Sequence, residues 1–134
     1  MNNDIQALLA RYPPQAVSQF MSVRQLIFSL ANENELNPVE ETLKWGEASY
    51  KVKGGSAIRI GWKAKDPNFI KVYFHCQTIL LETFKELYPK DFVYEGNRAI
   101  TIPLTCIIKH TPLRHCLTLA LQYHTLKQQP LLGA

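Results

Sequence analysis

Apolar residues recur at three- and four-residue steps along the first third of the chain and then switch to alternation. That change of period predicts a helical opening followed by sheet. Ile5, Leu8 and Leu9 mark a short helix over residues 3–11. Tyr12-Pro13-Pro14 ends it, because proline lacks the N–H that a helix interior needs. Pro14 suits the first turn of the next helix, where that N–H would be unpaired anyway. Val17, Phe20, Met21, Arg24, Ile27, Leu30 and Ala31 then carry one long amphipathic helix to about Asn32. Asn37-Pro38 predicts a short third helix through Leu43, with Asn37 as its N-cap.

Ser49 to Lys53, Ala57 to Lys63 and Phe69 to Cys76 alternate, which predicts a three-stranded antiparallel meander. A loop over Ala64 to Asn68 sets Ile60 opposite Val72 and Trp62 opposite Ile70, so the apolar faces agree. Around Gly54-Gly55 a two-residue turn would mix faces, so a three-residue turn or a bulge is expected there. Ile79 to Tyr88 returns to the helical period. Phe92–Glu95 and Arg98–Ile102 then form a hairpin through Gly96-Asn97, with Val93 opposite Ile100 and a Glu95–Arg98 ion pair. A last helix opens at Thr111-Pro112 and buries Leu113, Cys116, Leu117, Ala120, Leu121 and His124, and residues 127–134 read as a loose tail. The sum is one α+β domain: an antiparallel sheet of about five strands with helices packed on one face. The other face stays wet, which antiparallel sheets tolerate.

Composition supports a folded chain. Of 134 residues, 46% are hydrophobic and 19% charged, which argues against disorder. No apolar run is long enough to span a bilayer, so no membrane partner is expected. The acidic start Met1-Asn2-Asn3-Asp4 is unlike a secretory signal. Cys76, Cys106 and Cys116 cannot all pair and show no Cys-x-x-Cys spacing, which suits a reducing cytoplasm. The net charge of +4 is unevenly spread. An acidic opening gives way to a basic stretch holding Lys44, Lys51, Lys53, Arg59, Lys63, Lys65 and Lys71.

Leu43-Lys44-Trp45-Gly46-Glu47-Ala48-Ser49-Tyr50 resembles the Lys-Trp-Gly-x-Pro-x-Tyr signature of the YdhG-like family of domains of unknown function. The resemblance covers about residues 12–125 and includes an Arg-x-Ile-x-Ile-Pro-like strand at Arg98–Pro103. Lys44, Trp45, Gly46 and Tyr50 match the motif and are read as structural, with Trp45 a plug under the last helix. Ala48 stands where the family usually has proline. Some members of the family are described as frataxin-like iron chaperones, so the resemblance implies labile iron as cargo, handed on to an iron-accepting protein. It carries over no catalytic residue.

Labile ferrous iron needs several hard oxygen ligands close together. Glu33, Glu35, Glu40 and Glu41, with Glu47 nearby, form the candidate set; Glu82 and Glu86 are a weaker patch. Soft ligands are not gathered. His75 and Cys76 are strand neighbours that face opposite ways, His115 and Cys116 diverge on a helix, and Cys106 with His110 lack a third ligand. There is no nucleophile elbow or phosphate-cradling Gly-rich loop, so no enzyme is expected. The competing reading is an anion- or nucleic-acid-binding module on the wet sheet face. Its candidate residues are Lys51, Lys53, Arg59, Lys63, Lys71, Tyr73 and His75, with Arg59 expected to stack on Tyr73. A third reading is a protein-interaction adaptor that takes no small ligand.

Overall fold

The alternating segments become strands and the three- and four-step segments become helices, as the computed structural model of residues 1–134 shows. In chain order the elements are α1 (Asn3–Leu9), α2 (Pro14–Glu33), β1 (Glu40–Lys44), β2 (Glu47–Lys51), β3 (Ile58–Gly61) and β4 (Phe69–Phe74). There follow α3 (Leu80–Leu87), β5 (Val93–Glu95), β6 (Ala99–Pro103), α4 (Leu113–Leu121) and α5 (Tyr123–Leu126). Short 3-10 turns lie at Ile108–His110 and Pro130–Gly133. The strands form one six-stranded antiparallel sheet in the order β1-β2-β3-β4-β6-β5. No helix is long and apolar enough to cross a membrane.

Period-two alternation puts Tyr50, Ile58, Ile60, Ile70, Val72, Ile100 and Ile102 on one face, all buried with Phe20, Val23, Ile27, Phe84 and Leu117 of the helices. Burying each such side chain is worth roughly 1.5–3 kcal/mol, so this face fixes the register: a one-residue slip would expose the whole row. α2 lies against β3, β4 and α4, while α1 reaches β1. Gln19, the buried polar residue of α2, donates to the carbonyls of Pro103 and Cys106 at 2.9 Å each. That ties the end of β6 to the helical layer.

Four expectations are corrected. Residues 38–43 are not helical. Glu40–Lys44 forms the edge strand β1, paired Leu43 to Ala48 and Lys44 to Glu47. Within it Glu41 and Leu43 face the helices, and Glu40, Thr42 and Lys44 face away, a period-two pattern that the Asn-Pro capping signal masked. Trp45 is no plug; it stands 89% exposed in the two-residue turn between β1 and β2. The β5–β6 register is shifted by one, with Glu95 opposite Ala99 and Val93 opposite Thr101. A three-residue loop, Gly96-Asn97-Arg98, replaces the expected two-residue turn, and Arg98 N–H donates to the Glu95 carbonyl. The Glu95 carboxylate is accordingly bound to Lys71, not to Arg98. His124 is exposed and the neighbouring Tyr123 takes the buried position.

Two further segments are tighter than the pattern implies. The Val52–Ala57 loop is longer than a three-residue turn, but it puts Tyr50 opposite Ile58 as the apolar faces require. Ser56 N–H donates to the Ala120 carbonyl and His124 N–H to the Gly54 carbonyl, docking that loop on the last helices. Gly55 packs against Leu121: a Cβ there would stand 2.6 Å from the Leu121 carbonyl oxygen. In the tail, Leu132 is 1% exposed, so the final turn folds back onto the core.

Candidate functional site

The sheet face turned away from the helices carries Glu47 and Ser49 of β2, Arg59 and Gly61 of β3, Lys71 and Tyr73 of β4, and Ala99 of β6. One cavity opens on it, and a second adjoins it at the end of the sheet, where Leu8, Arg11 and Tyr12 of the helical layer and Trp62, on the helix side of β3 by alternation, help to line it. The first, of about 260 Å³, is lined by Glu47, Ala57, Arg59, Tyr73, His75 and Arg98 among others. The second, of about 440 Å³, lies at the β1–β2 turn and is lined by Arg11, Tyr12, Trp45, Glu47, Trp62 and Lys63, with Tyr73 and Arg98 again. Glu47, Tyr73 and Arg98 border both, so the two make one groove.

Each feature of the groove has a local cause. Gly61 lies beside both the Glu47 and the Tyr73 side chains: a Cβ there would stand 2.9 Å from Glu47 Oε2 and 3.3 Å from the Tyr73 ring, so a larger residue would displace the carboxylate from its present position. Trp45 projects because it sits in a type I′-like turn, with φ of +53° followed by +78° at Gly46. Trp62 is anchored. Its Nε1 donates to the Pro67 carbonyl at 2.9 Å, its backbone N–H donates to the Tyr12 hydroxyl at 3.3 Å, and the Tyr12 and Trp62 rings are 5.5 Å apart.

Charge in the groove is unbalanced. Arg11, Arg59, Lys63 and Arg98 line it, and none belongs to an ion pair: the pairs in the molecule are Arg24–Glu41, Lys71 with Asp66 and Glu95, and Arg114–Glu33. Glu47 is the one acidic residue lining the groove. Its carboxylate takes part in no ion pair and accepts no side-chain hydrogen bond. Burial raises its pKa above the ordinary carboxylate value, against the pull of Lys63, Arg59 and Arg98. The Tyr73 hydroxyl is likewise raised, first by burial and then by the neighbouring Glu47 charge. Lys63 Nζ stands 5.8 Å from the centre of the Tyr73 ring, so Lys63 rather than Arg59 makes the cation–π contact.

The expected basic face is thus partly assembled. Arg59, Lys63, Tyr73 and His75 line the groove. Lys51 and Lys53 are exposed but lie outside it. Lys71 is consumed structurally: its side chain is 9% exposed, and its Nζ meets Asp66 at 3.3 Å and Glu95 at 3.1 Å. Burial lowers its pKa, but the hydrogen bonds to Glu95 and Asp66 outweigh that and raise it overall. Arg11, Trp62 and Arg98 join the groove although the sequence did not single them out for it, and Trp45 and Glu47 join it with roles other than those expected.

The carboxylates considered for iron are dispersed. Glu33 is paired with Arg114. Glu41 accepts from Arg24 Nε at 2.6 Å in a pair whose side chains are 19% and 10% exposed. Glu35 and Glu40 are exposed, and Glu47 belongs to the groove. Nowhere do three or more His, Cys, Asp or Glu side chains stand together as a metal site would need. The motif residues divide: Lys44 and Trp45 are exposed at the turn, whereas Tyr50 is buried with its hydroxyl unpaired beside the Arg24–Glu41 pair. Cys76 is exposed and borders the groove beside His75, because β4 stops at Phe74 and alternation lapses beyond it. His115, which diverges from the buried Cys116 as helix geometry requires, is half-buried against the Tyr88 hydroxyl at 2.5 Å.

No protein-family model, curated protein or solved structure matches this chain.

Proposed function

We propose that the groove running from the open sheet face to the end of the sheet beside the β1–β2 turn binds a nucleotide unit, free or within a single strand. The base would stack among Trp45, Trp62 and Tyr73, and the phosphate would lie between Arg59 and Arg98, beside His75. The observation that supports this reading is the combination in one groove of four cations outside any ion pair with the rings of Trp45, Trp62 and Tyr73, the first of them 89% exposed. Cations without ion-pair partners suit a polyanionic ligand, and an indole left open to solvent beside two half-buried rings suits a planar one. Labile iron handling keeps the YdhG-like resemblance as its support, but the fold separates the carboxylates it would use. The reading is one of binding and assigns no reaction.

Both tryptophans of the chain, Trp45 and Trp62, line the groove, so intrinsic fluorescence reports on it directly. Nucleoside monophosphates and a short single-stranded oligonucleotide should quench it saturably, while inorganic phosphate should only compete weakly. Neutralising all four cations with oligonucleotide phosphates would give a log–log salt slope of about −3. Arg59→Gln with Arg98→Gln should weaken binding and flatten that slope. Absence of quenching by mononucleotide and oligonucleotide alike, at low salt, would overturn the proposal.

A further inference from the structure

We infer that the base taken by the groove is guanine, read through its N1–H and N2 amino donors by the Glu47 carboxylate; this deepens, and rests on, the nucleotide reading above. A carboxylate is an unexpected neighbour for a phosphate, since it repels the charge that the four cations attract. Glu47 nonetheless lines both cavities at their junction, beside Gly61, which the Tyr73 ring also approaches. Its carboxylate is half-buried in the field of Lys63, Arg59 and Arg98, and it forms no ion pair and accepts no side-chain hydrogen bond. A ligand that covers it must supply donors in place of its water, or the carboxylate is left buried and unpaired.

The geometry of the bases decides which ligand does so. Guanine offers two adjacent donors on one edge, matched in spacing to the two oxygens of a carboxylate. Adenine and cytosine each place a ring nitrogen lone pair beside their amino group, which would face the second oxygen repulsively. Uracil and thymine place a single N–H between two carbonyls. Trp45 and Trp62 border the larger cavity, where the ring would stack beside Lys63 and Arg11; Arg59 and His75 border the smaller one, and Tyr73 and Arg98 border both. Glu47 therefore stands where the edge of the base would be read, and the guanidinium of Arg59 stands where the phosphate would lie.

The test is a comparison of guanosine, inosine and adenosine monophosphates by tryptophan quenching, on the wild type and on Glu47→Gln. Wild type should prefer the guanine nucleotide over the adenine nucleotide by about tenfold to a hundredfold, the range expected of hydrogen bonds to a charged group. Inosine, which lacks the N2 amino group, should fall between. Glu47→Gln should abolish the preference or invert it, because an amide offers one donor and one acceptor and so matches adenine. Equal binding of the guanine and adenine nucleotides by wild type would overturn the guanine assignment and leave the nucleotide reading standing. Binding of neither would overturn both. A guanine preference that survives Glu47→Gln would overturn the role given to Glu47, and the wild-type comparison does not depend on how the variant folds.

Discussion

Trp45 supplies the most exacting test of how function is built into this fold, because the residue is locally unfavourable where it stands. It holds φ at +53°, and Gly46 follows at +78°, the pair of left-handed conformations that a two-residue hairpin turn of type I′ requires. Such turns favour Asn-Gly. A bulky L-residue in that region is disfavoured by about 1–2 kcal/mol, whereas asparagine tolerates it. At 89% exposure the indole gives up almost no burial when it is removed. Trp45→Asn should therefore stabilise the protein by about 1 kcal/mol, which for a chain of this size is about 3–5 °C in Tm. The assay is urea unfolding followed by far-UV circular dichroism, with the slope m expected to stay unchanged. The same variant should weaken nucleotide binding by about five- to a hundredfold, the usual worth of one stacked ring. Stability and binding moving in opposite directions is the signature of a strained residue kept for its site. A loss of stability on Trp45→Asn would refute this reasoning, because it would mean that the indole packs on the fold.

Three further outcomes follow from the titratable groups. Glu41→Gln leaves the Arg24 guanidinium largely buried without its counter-charge and should cost about 2 kcal/mol in urea unfolding. Burial raises the pKa of Glu41, but the hydrogen bonds from Arg24 and the Arg24 charge prevail and lower it. The stability it contributes is thus present above the ordinary carboxylate pKa and lost as pH falls through the folded-state value, so wild type and Glu41→Gln should converge in strong acid. Glu47 has the opposite sign: its raised pKa means that ionisation opposes folding as pH rises past the ordinary carboxylate value. Glu47→Gln should accordingly show a slightly higher Tm than wild type at pH 7 and none of that advantage well below pH 4. Finally, a thiol reagent at neutral pH should modify the exposed Cys76 quickly. Cys116, whose thiol burial pushes up to about 12, should react only on unfolding.

The sheet was legible because its apolar alternation is uninterrupted: Ile58, Ile60, Ile70, Val72, Ile100 and Ile102 could occupy only one face. The edge strand β1 was hidden by its composition. Glu40-Glu41-Thr42-Leu43-Lys44 has one large apolar residue, and the signal that places Glu41 inward is its partner Arg24, seventeen residues away and visible only in three dimensions. The β5–β6 register failed for a related reason. Its turn is polar and its strands are short, so no buried row on β5 decides between a two- and a three-residue loop.

The groove was half legible. Arg59 opposite Tyr73 follows from the meander alone and is found in the structure. What alternation cannot show is which charges are already spent. Lys71 reads as a free cation until Asp66 and Glu95 are placed beside it, and Arg98 reads as paired until Glu95 is taken away. Trp45-Gly46 did contain its own signal: the dipeptide lies between Leu43 and Ala48, residues that alternate as strands do, and a two-residue turn there makes the indole project.

The central claim, that the groove between the open sheet face and the β1–β2 turn binds a nucleotide, is tested most directly by an amide NMR titration of the labelled protein with a short single-stranded oligonucleotide and with guanosine monophosphate. The account predicts shifts confined to the neighbourhood of Trp45, Glu47, Arg59, Gly61, Trp62, Tyr73, His75 and Arg98, with the helical face silent. Shifts on α2 and α4 instead, or none at all with either ligand, would contradict it.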